Sequence, residues 1–201
     1  MTLLERLPSA PVLPAPVLAT ARLRLRAPQR EDASAIAALA NDRRIAENTA
    51  HIPHPYTLAD AESFLRYLKE SETETAFAIT LAGALIGVCG VRVKPGKTPE
   101  IGYWLGAPYW GHGYATEATR ALIDHAFEDL GLERLEAGAR VSNPASRRVL
   151  EKCGFQWSGV MLLRIHAIAS SAPVDRFRLD RGLWASLKSW GQDMGQDKRV
   201  A

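Results

Sequence analysis

The first regular element that the sequence predicts is a short strand near the N-terminus. Residues 22–26 alternate arginine and leucine. Because side chains along a strand point to opposite faces in turn, this pattern predicts that Leu23 and Leu25 face a core. The preceding residues 1–19 contain four prolines, which favour extended backbone. They are therefore predicted to form an arm outside the core.

Apolar residues farther along the chain recur with helical or strand-like spacing. Repeats every three or four residues predict helices, and alternating or continuous apolar runs predict strands. The predicted order is helix 31–40, helix 58–70, strands 76–81, 85–93 and 100–105, helix 115–130, strand 135–141, helix 144–153, strands 155–168 and 174–179, and helix 184–190.

This order predicts one mixed α/β domain over residues 20–190, followed by a polar tail over residues 191–201. Strands that follow one another directly form hairpins, and strands separated by a helix are joined by crossovers. The sheet is therefore predicted to contain about seven mostly antiparallel strands flanked by helices. Parallel neighbours are expected only around the two β-α-β crossovers.

Two of the predicted helices begin with capping signals. Thr57 stands three residues before Asp60, which is the pattern of an N-cap followed by an acidic first turn. Either Ser142 or Asn143 can cap the helix that follows, with Pro144 in its first position. Both signals fix the direction in which the chain enters its helix.

The composition predicts an ordinary globular protein. A chain of 201 residues with a net charge of +3 and interleaved charges can bury a core, and it is not expected to bind nucleic acid. No apolar run approaches the roughly 18 residues that cross a bilayer, and the N-terminus lacks the pattern of a signal peptide. Cys89 and Cys153 do not form a disulfide framework typical of secreted proteins. A cytoplasmic location without membrane association is expected.

A glycine-rich loop lies between a predicted strand and the longest predicted helix. Gly111 and Gly113 allow backbone amides to approach an anion closely. The N-terminus of the following helix adds free N–H groups and the positive end of its dipole. The loop is therefore a candidate diphosphate site, with an ordinary glycine-rich turn as the alternative. Thr116 stands where a dinucleotide-binding fingerprint needs a third glycine, and no Gly-Lys-Ser/Thr sequence of a P-loop follows.

This loop is one of five linked signatures through which the chain resembles the GNAT acetyltransferase superfamily, and within it the RimJ/RimL-like branch. The resemblance covers residues 20 to about 185 with matching spacings, and it implies a sheet that is splayed between the fourth and fifth predicted strands. The signatures are the Arg-Leu-Arg-Leu-Arg strand from Arg22, Pro55-Tyr-Thr57, Glu-Ile-Gly-Tyr-Trp-Leu from Glu100, Trp-Gly-His-Gly-Tyr-Ala-Thr-Glu-Ala from Trp110, and Asn143 and Ser146 with Gly154-Phe155.

The resemblance implies that acetyl-CoA is the co-substrate. The loop amides would hold its diphosphate, and the Leu105 amide would donate to the thioester carbonyl. Arg147, Arg148 and Lys152 are candidates for its 3′-phosphate end, with a solvated helix face as the alternative. The implied cofactor-binding residues are Trp104, Leu105, Trp110, Gly111, His112, Gly113, Tyr114, Ala115, Thr116, Asn143, Ser146 and Arg148.

Transfer of an acetyl group to an amine requires a base for the amine and a donor for the departing thiolate. Glu100, at the start of the fourth predicted strand, is the candidate base and acts through water. Many superfamily members carry a tyrosine donor where this chain has Leu150, so Ser146 is the candidate replacement. The predicted acceptor-binding residues are Tyr103, His54 and Tyr56. His51 and His54 are alternative candidates for the base, with a packing or surface role as the other interpretation.

The predicted function is therefore acetyl transfer from acetyl-CoA to a primary amine, either a protein N-terminus or a small molecule. The alternative is an inactive module that binds acyl-CoA as a sensor. No metal site is expected, because the histidines lack further clustered ligands. A homodimer is left open, since no feature of the sequence requires one.

Overall fold

The centre of the molecule is a single sheet whose strands run from the N-terminal to the C-terminal part of the chain. The computed structural model describes residues 16–197, and their side chains through Trp190. The strands are β1 (Leu18–Ala19), β2 (Leu23–Arg26), β3 (Glu74–Leu81), β4 (Ala84–Arg92), β5 (Glu100–Leu105), β6 (Arg134–Arg140), β7 (Gln156–Ile165) and β8 (Ser170–Asp180). They form one eight-stranded sheet in the order β1-β2-β3-β4-β5-β6-β8-β7.

Helices cover both faces of this sheet. The helices are α1 (Ala33–Ala40), α2 (Arg43–Ala46), α3 (Leu58–Glu70), α4 (Tyr114–Glu128), α5 (Pro144–Lys152) and α6 (Arg181–Asp197). One core lies between the sheet and α4, α5 and α6, and a second core lies under α1 and α3 on the opposite face. No helix within residues 16–197 has the length and apolar character needed to span a bilayer.

Local patterns in the sequence place several elements correctly. Leu23 and Leu25 are 1% and 0% exposed, as the alternation along β2 predicts. Helix α3 has the predicted bounds, and Thr57 and Asp60 cap each other reciprocally. At α5 the cap is Asn143, whose side chain accepts a hydrogen bond from the amide of Ser146 at 3.1 Å.

The structure adds elements that the sequence did not predict. Strand β1 pairs with β2, so the sheet has eight strands instead of about seven. This strand lies within the predicted arm, whose residues 1–15 are outside the described part of the chain. Helix α2 has only four residues, too few to show a repeat of apolar positions. Helix α6 begins earlier than predicted and continues through Asp197.

The order of the last strands differs from the prediction. Strands β5 and β6 are parallel, which confirms the first crossover. The second predicted parallel pair is wrong, because β8 lies between β6 and β7 and is antiparallel to both. The β7–β8 hairpin returns the chain beside β6 and leaves β7 at the edge of the sheet. Sequence periodicity alone does not show whether a crossover leads to the adjacent strand position or skips one.

The Asp32 carboxylate joins the end of β2 to the start of α1. Arg26 donates two hydrogen bonds to the Asp32 carboxylate, each 2.7 Å long, and the Gln29 amide donates a third of the same length. Burial alone would raise the pKa of Asp32, but these hydrogen bonds outweigh it and hold the pKa below its ordinary value. The ionised form of Asp32 therefore stabilises the fold.

We expect Asp32→Asn to lower the free energy of unfolding by about 1–3 kcal/mol at pH 7. A depressed carboxyl pKa contributes stability above its ordinary value near 4 and loses it as the pH falls through the folded-state pKa. The difference from wild type should therefore shrink below about pH 4. Urea denaturation at pH 7 and pH 3 measures this. Asp180→Asn, which breaks an exposed pair with Arg134, should change stability by about 1 kcal/mol or less.

Candidate active site

A gap opens in the sheet between β5 and β6. The two strands pair only at Glu100–Glu136 and Ile101–Ala137 and then diverge. This confirms the splay between the fourth and fifth predicted strands. The Gly106 amide bonds to the Ile86 carbonyl of β4 at 2.9 Å, so by the alternation of an antiparallel ladder the Leu105 amide points away from β4 and into the gap.

The N-terminus of α4 lies beside this gap. Gly111 and Gly113 adopt φ angles of 80° and 82°, in the left-handed region that glycine enters without strain. Gly113 precedes the first helical residue, and no side chain in the described part of the chain caps the first turn of α4. A Cβ atom at Gly111 would meet no atom within 4 Å. The loop thus presents free backbone N–H groups to open space.

A cleft of about 1230 Å³ joins the gap to the loop. It brings together most of the predicted site residues, including Glu100 and Tyr103. The predicted cofactor-binding residues that line it are Trp104, Leu105, Trp110, Gly111, Gly113, Tyr114, Ala115, Thr116, Asn143, Ser146 and Arg148.

Three of the predicted side chains do not line this cleft. The His112 ring is exposed, bonds the Trp110 carbonyl through Nδ1 and stacks on Tyr114. Tyr56 is 8% exposed and packs in the core under α1 and α3. His54 is exposed but lies outside the lining of the cleft. The loop before α3 turns His54 outwards and Tyr56 inwards, which a pattern of histidines and prolines does not reveal.

Trp110 links the glycine-rich loop to the end of β5. Its indole Nε1 donates to the Leu105 carbonyl at 2.7 Å. The Arg44 guanidinium, from α2, lies 5.0 Å above the centre of the Trp110 ring. These contacts hold the loop at a fixed distance from the strand whose Leu105 amide faces the gap.

Tyr103 crosses the cleft to the first turn of α5. Its hydroxyl lies 3.0 Å from Ser146 Oγ and 3.1 Å from the Ser146 carbonyl oxygen. Burial raises the pKa of Tyr103 well above its ordinary value, although the hydrogen bond with Ser146 acts against this. The phenol therefore remains protonated at neutral pH. The neighbouring Leu150 is fully buried in the core.

Two arginines pair with the carboxylates at the other end of the cleft. Arg176 bridges Glu100 and Glu136, with an N–O distance of 2.6 Å to each. Arg92 pairs with Glu74 at 2.9 Å. Burial alone would lower the pKa of Arg176, but the two carboxylates outweigh it and raise this pKa. The Arg92–Glu74 pair joins the neighbouring strands β4 and β3, whereas Arg176 joins β8 to β5 and β6, which lie far from it in the sequence.

His51 also lines this end of the cleft. Burial lowers its pKa, the positive charge of Arg92 lowers it further, and Glu74 acts in the opposite direction. The imidazole is therefore neutral at pH 7 and able to accept a proton. In the sequence, His51 and His54 lie in one loop with two prolines, and no pattern indicates which of the two histidines lines the cleft.

The basic residues of α5 fall into two groups. Arg147 pairs with Glu151 and Asp175, so its charge is used within the fold. Arg148 and Lys152 line the cleft, where they can meet an anion. Within residues 16–197, no group of histidine, cysteine and acidic side chains is arranged to hold a metal ion.

Comparison with known proteins agrees with this geometry. Residues 22–156 match the family model described as an acetyltransferase (GNAT) domain. The chain is 31% identical over 165 residues to an uncharacterized N-acetyltransferase, p20, from Bacillus licheniformis, covering 79% of this chain and 91% of that protein. It is 39% identical over 87 residues to the ribosomal-protein-serine acetyltransferase of Escherichia coli, covering 42% and 49%.

The fold is also similar to that of a solved acetyltransferase. The structure of RimL, a ribosomal L7/L12 alpha-N-protein acetyltransferase solved with coenzyme A, superposes with a TM-score of 0.73 at 19% identity, covering 82% of this chain and 98% of that one. The chain belongs to the GNAT acetyltransferase family.

Proposed function

We propose that the chain transfers an acetyl group from acetyl-CoA to a primary amine by direct attack in a ternary complex. The observation that carries the proposal is the uncapped N-terminus of α4 beside the gap between β5 and β6. A helix N-terminus with free N–H groups is suited to an anion. An open strand edge is suited to an extended arm that carries amide groups.

The residues present fit acetyl-CoA at the loop end of the cleft. The amides from Gly111 to Thr116 would hold the diphosphate, and Arg148 and Lys152 would meet its phosphates. Asn143 and the edge of β5 would flank the pantetheine arm. Acetyl-CoA supplies the acetyl group as a thioester. The Leu105 amide, already directed into the gap, would donate to the thioester carbonyl oxygen.

The opposite end of the cleft would receive the amine, and we call it the acceptor half. It is defined by His51, Ile52, Phe64, Glu100 and Ile165, which all line the cleft. Glu100 would accept the amine proton through a water molecule. His51 is the alternative base, since its neutral imidazole lies in the same half.

Ser146 and Tyr103 would assist the leaving thiolate. Tyr103 has a single proton, which it can give to the Ser146 carbonyl oxygen or to Ser146 Oγ. When it donates to Oγ, the hydroxyl proton of Ser146 is free to point into the cleft. Tyr103 would therefore act as a positioning residue that directs Ser146, in contrast to the acceptor-binding role predicted from the sequence.

We expect Gly113→Val to abolish CoA binding. Valine cannot adopt the positive φ of this position without strain, and its side chain would fill the proposed diphosphate position. Isothermal titration with CoA measures this. Gly83→Val is the matched control, since Gly83 has a φ of 87° in the distant β3–β4 turn and open space around its Cβ. Retention of wild-type CoA affinity in folded Gly113→Val would contradict the site.

We expect Glu100→Gln to lower kcat/KM by about a hundredfold at pH 7, with the deficit shrinking as the pH rises and more of the amine is deprotonated. His51→Gln tests the alternative base in the same assay of thiol release. If the pH-dependent loss appears in His51→Gln and not in Glu100→Gln, the base is His51. An unchanged pH–rate profile in Glu100→Gln removes Glu100 from the mechanism.

We expect Ser146→Ala and Tyr103→Phe each to lower kcat by roughly tenfold, with little effect on CoA affinity. Because Tyr103 acts through Ser146, the double variant should be no slower than Ser146→Ala alone. Independent, multiplying losses would show that the two hydroxyls do not act together.

Tight CoA binding without thiol release in the wild-type protein, across peptides, polyamines and amino sugars, would favour the alternative of an acyl-CoA sensor.

A further inference from the structure

One wall of the acceptor half is apolar. Side chains from the loop after α2, from α3 and from the edge strand β7 meet there, and the amide of His166 ties the end of β7 to the Ala50 carbonyl at 3.0 Å. Trp104 packs into the same wall from β5. The apolar lining consists of Ile52, Phe64, Trp104, Leu163 and Ile165. Such a wall offers favourable burial to a hydrocarbon body.

The carboxylates of this half are already neutralised within the fold. Glu74 is paired with Arg92, and Arg176 lies between Glu100 and Glu136. The side chains of Arg92 and Arg176 are 28% and 19% exposed, so both guanidinium groups are largely enclosed and held in place. A cation that enters the pocket therefore meets carboxylates whose charge is compensated at short range.

Further positive charge lies in the cleft lining. Arg140, on β6, donates to the Glu47 carbonyl and has no carboxylate partner among the described residues. Lys97 lines the cleft as well. The positive side chains of the cleft thus at least balance the negative charge of its carboxylates. A second or third ammonium group on a substrate would therefore be repelled.

We propose that the acceptor is a primary monoamine with an apolar, uncharged body, and that the pocket selects against polyamines. The inference rests on the proposed acetyl transfer and adds the substrate class to it. The amine can belong to a small molecule or to the N-terminus of a peptide that begins with an apolar residue, since both present the same chemistry to this wall.

The experiment compares amines of similar length in the assay of thiol release from acetyl-CoA. We expect kcat/KM for 4-phenylbutylamine to exceed that for spermidine by at least about tenfold. A tripeptide amide that begins with phenylalanine separates the two sources of an apolar amine, because better turnover of the peptide identifies a peptide N-terminus as the acceptor. Turnover of spermidine as fast as or faster than both apolar amines would overturn the proposal.

A charge variant tests the cause of this selectivity. Arg92→Gln removes the partner of Glu74, so it should raise kcat/KM for spermidine relative to 4-phenylbutylamine by several-fold. Arg92→Lys keeps the charge and should keep the wild-type ratio. Arg134→Gln, which removes one of the two arginine partners of the exposed Asp180 elsewhere, should also keep it. An unchanged ratio in folded Arg92→Gln would overturn the electrostatic explanation.

The two proposals can fail separately. Absence of thiol release with every amine would overturn both acetyl transfer and the acceptor class. Turnover with a preference for spermidine would overturn the acceptor class alone and leave acetyl transfer in place.

Discussion

The open edge of β5 is the constraint on which the rest of the site depends. A strand edge without a neighbour exposes backbone N–H and C=O groups that need partners. In this chain β6 diverges after Ile101, and the carbonyl of Leu105 is satisfied internally by the Trp110 indole. The Leu105 amide is left pointing into the gap. One residue therefore has its acceptor bound by the protein and its donor available to a ligand. A free donor of this kind is what the proposed stabilisation of a thioester carbonyl needs.

The same hydrogen bond links the glycine-rich loop to the end of β5, which are the two ends of the proposed cofactor site. Trp110 begins the glycine-rich loop, so its bond to Leu105 fixes the loop relative to the strand edge, and Arg44 covers the ring from α2. In the proposed complex, these contacts set the distance between the diphosphate and the reacting carbon before the ligand binds. Preorganisation of this kind lowers the entropy that binding must overcome. Trp110 thus has a structural role in the loop that does not depend on the ligand.

The sequence predicted those parts of the molecule that depend on neighbouring residues. The Thr57–Asp60 cap, the alternation of Leu23 and Leu25, and the glycine-rich loop are local patterns, and the structure shows each of these elements where the pattern indicated. The position of β8 between β6 and β7 was not predictable, because hairpin order is decided by long-range packing. The contact of Tyr103 with Ser146 was missed for the same reason. It spans 43 positions in the sequence, and no periodicity links the two residues.

This difference between local and long-range features explains why the sequence predicts a diphosphate site and leaves the acceptor open. The groups that would hold the diphosphate are main-chain amides within one loop and helix start, so a short motif with two glycines specifies them. The acceptor half is built from side chains of the loop after α2, of α3 and of several strands, and Arg92 and Arg176 pair with carboxylates across the sheet. A single substitution at either arginine changes the charge that an amine meets, and it leaves the glycine-rich loop intact. Acceptor preference can therefore diverge among chains that keep the same motif, and it has to be argued from the pairing of charges in the folded protein.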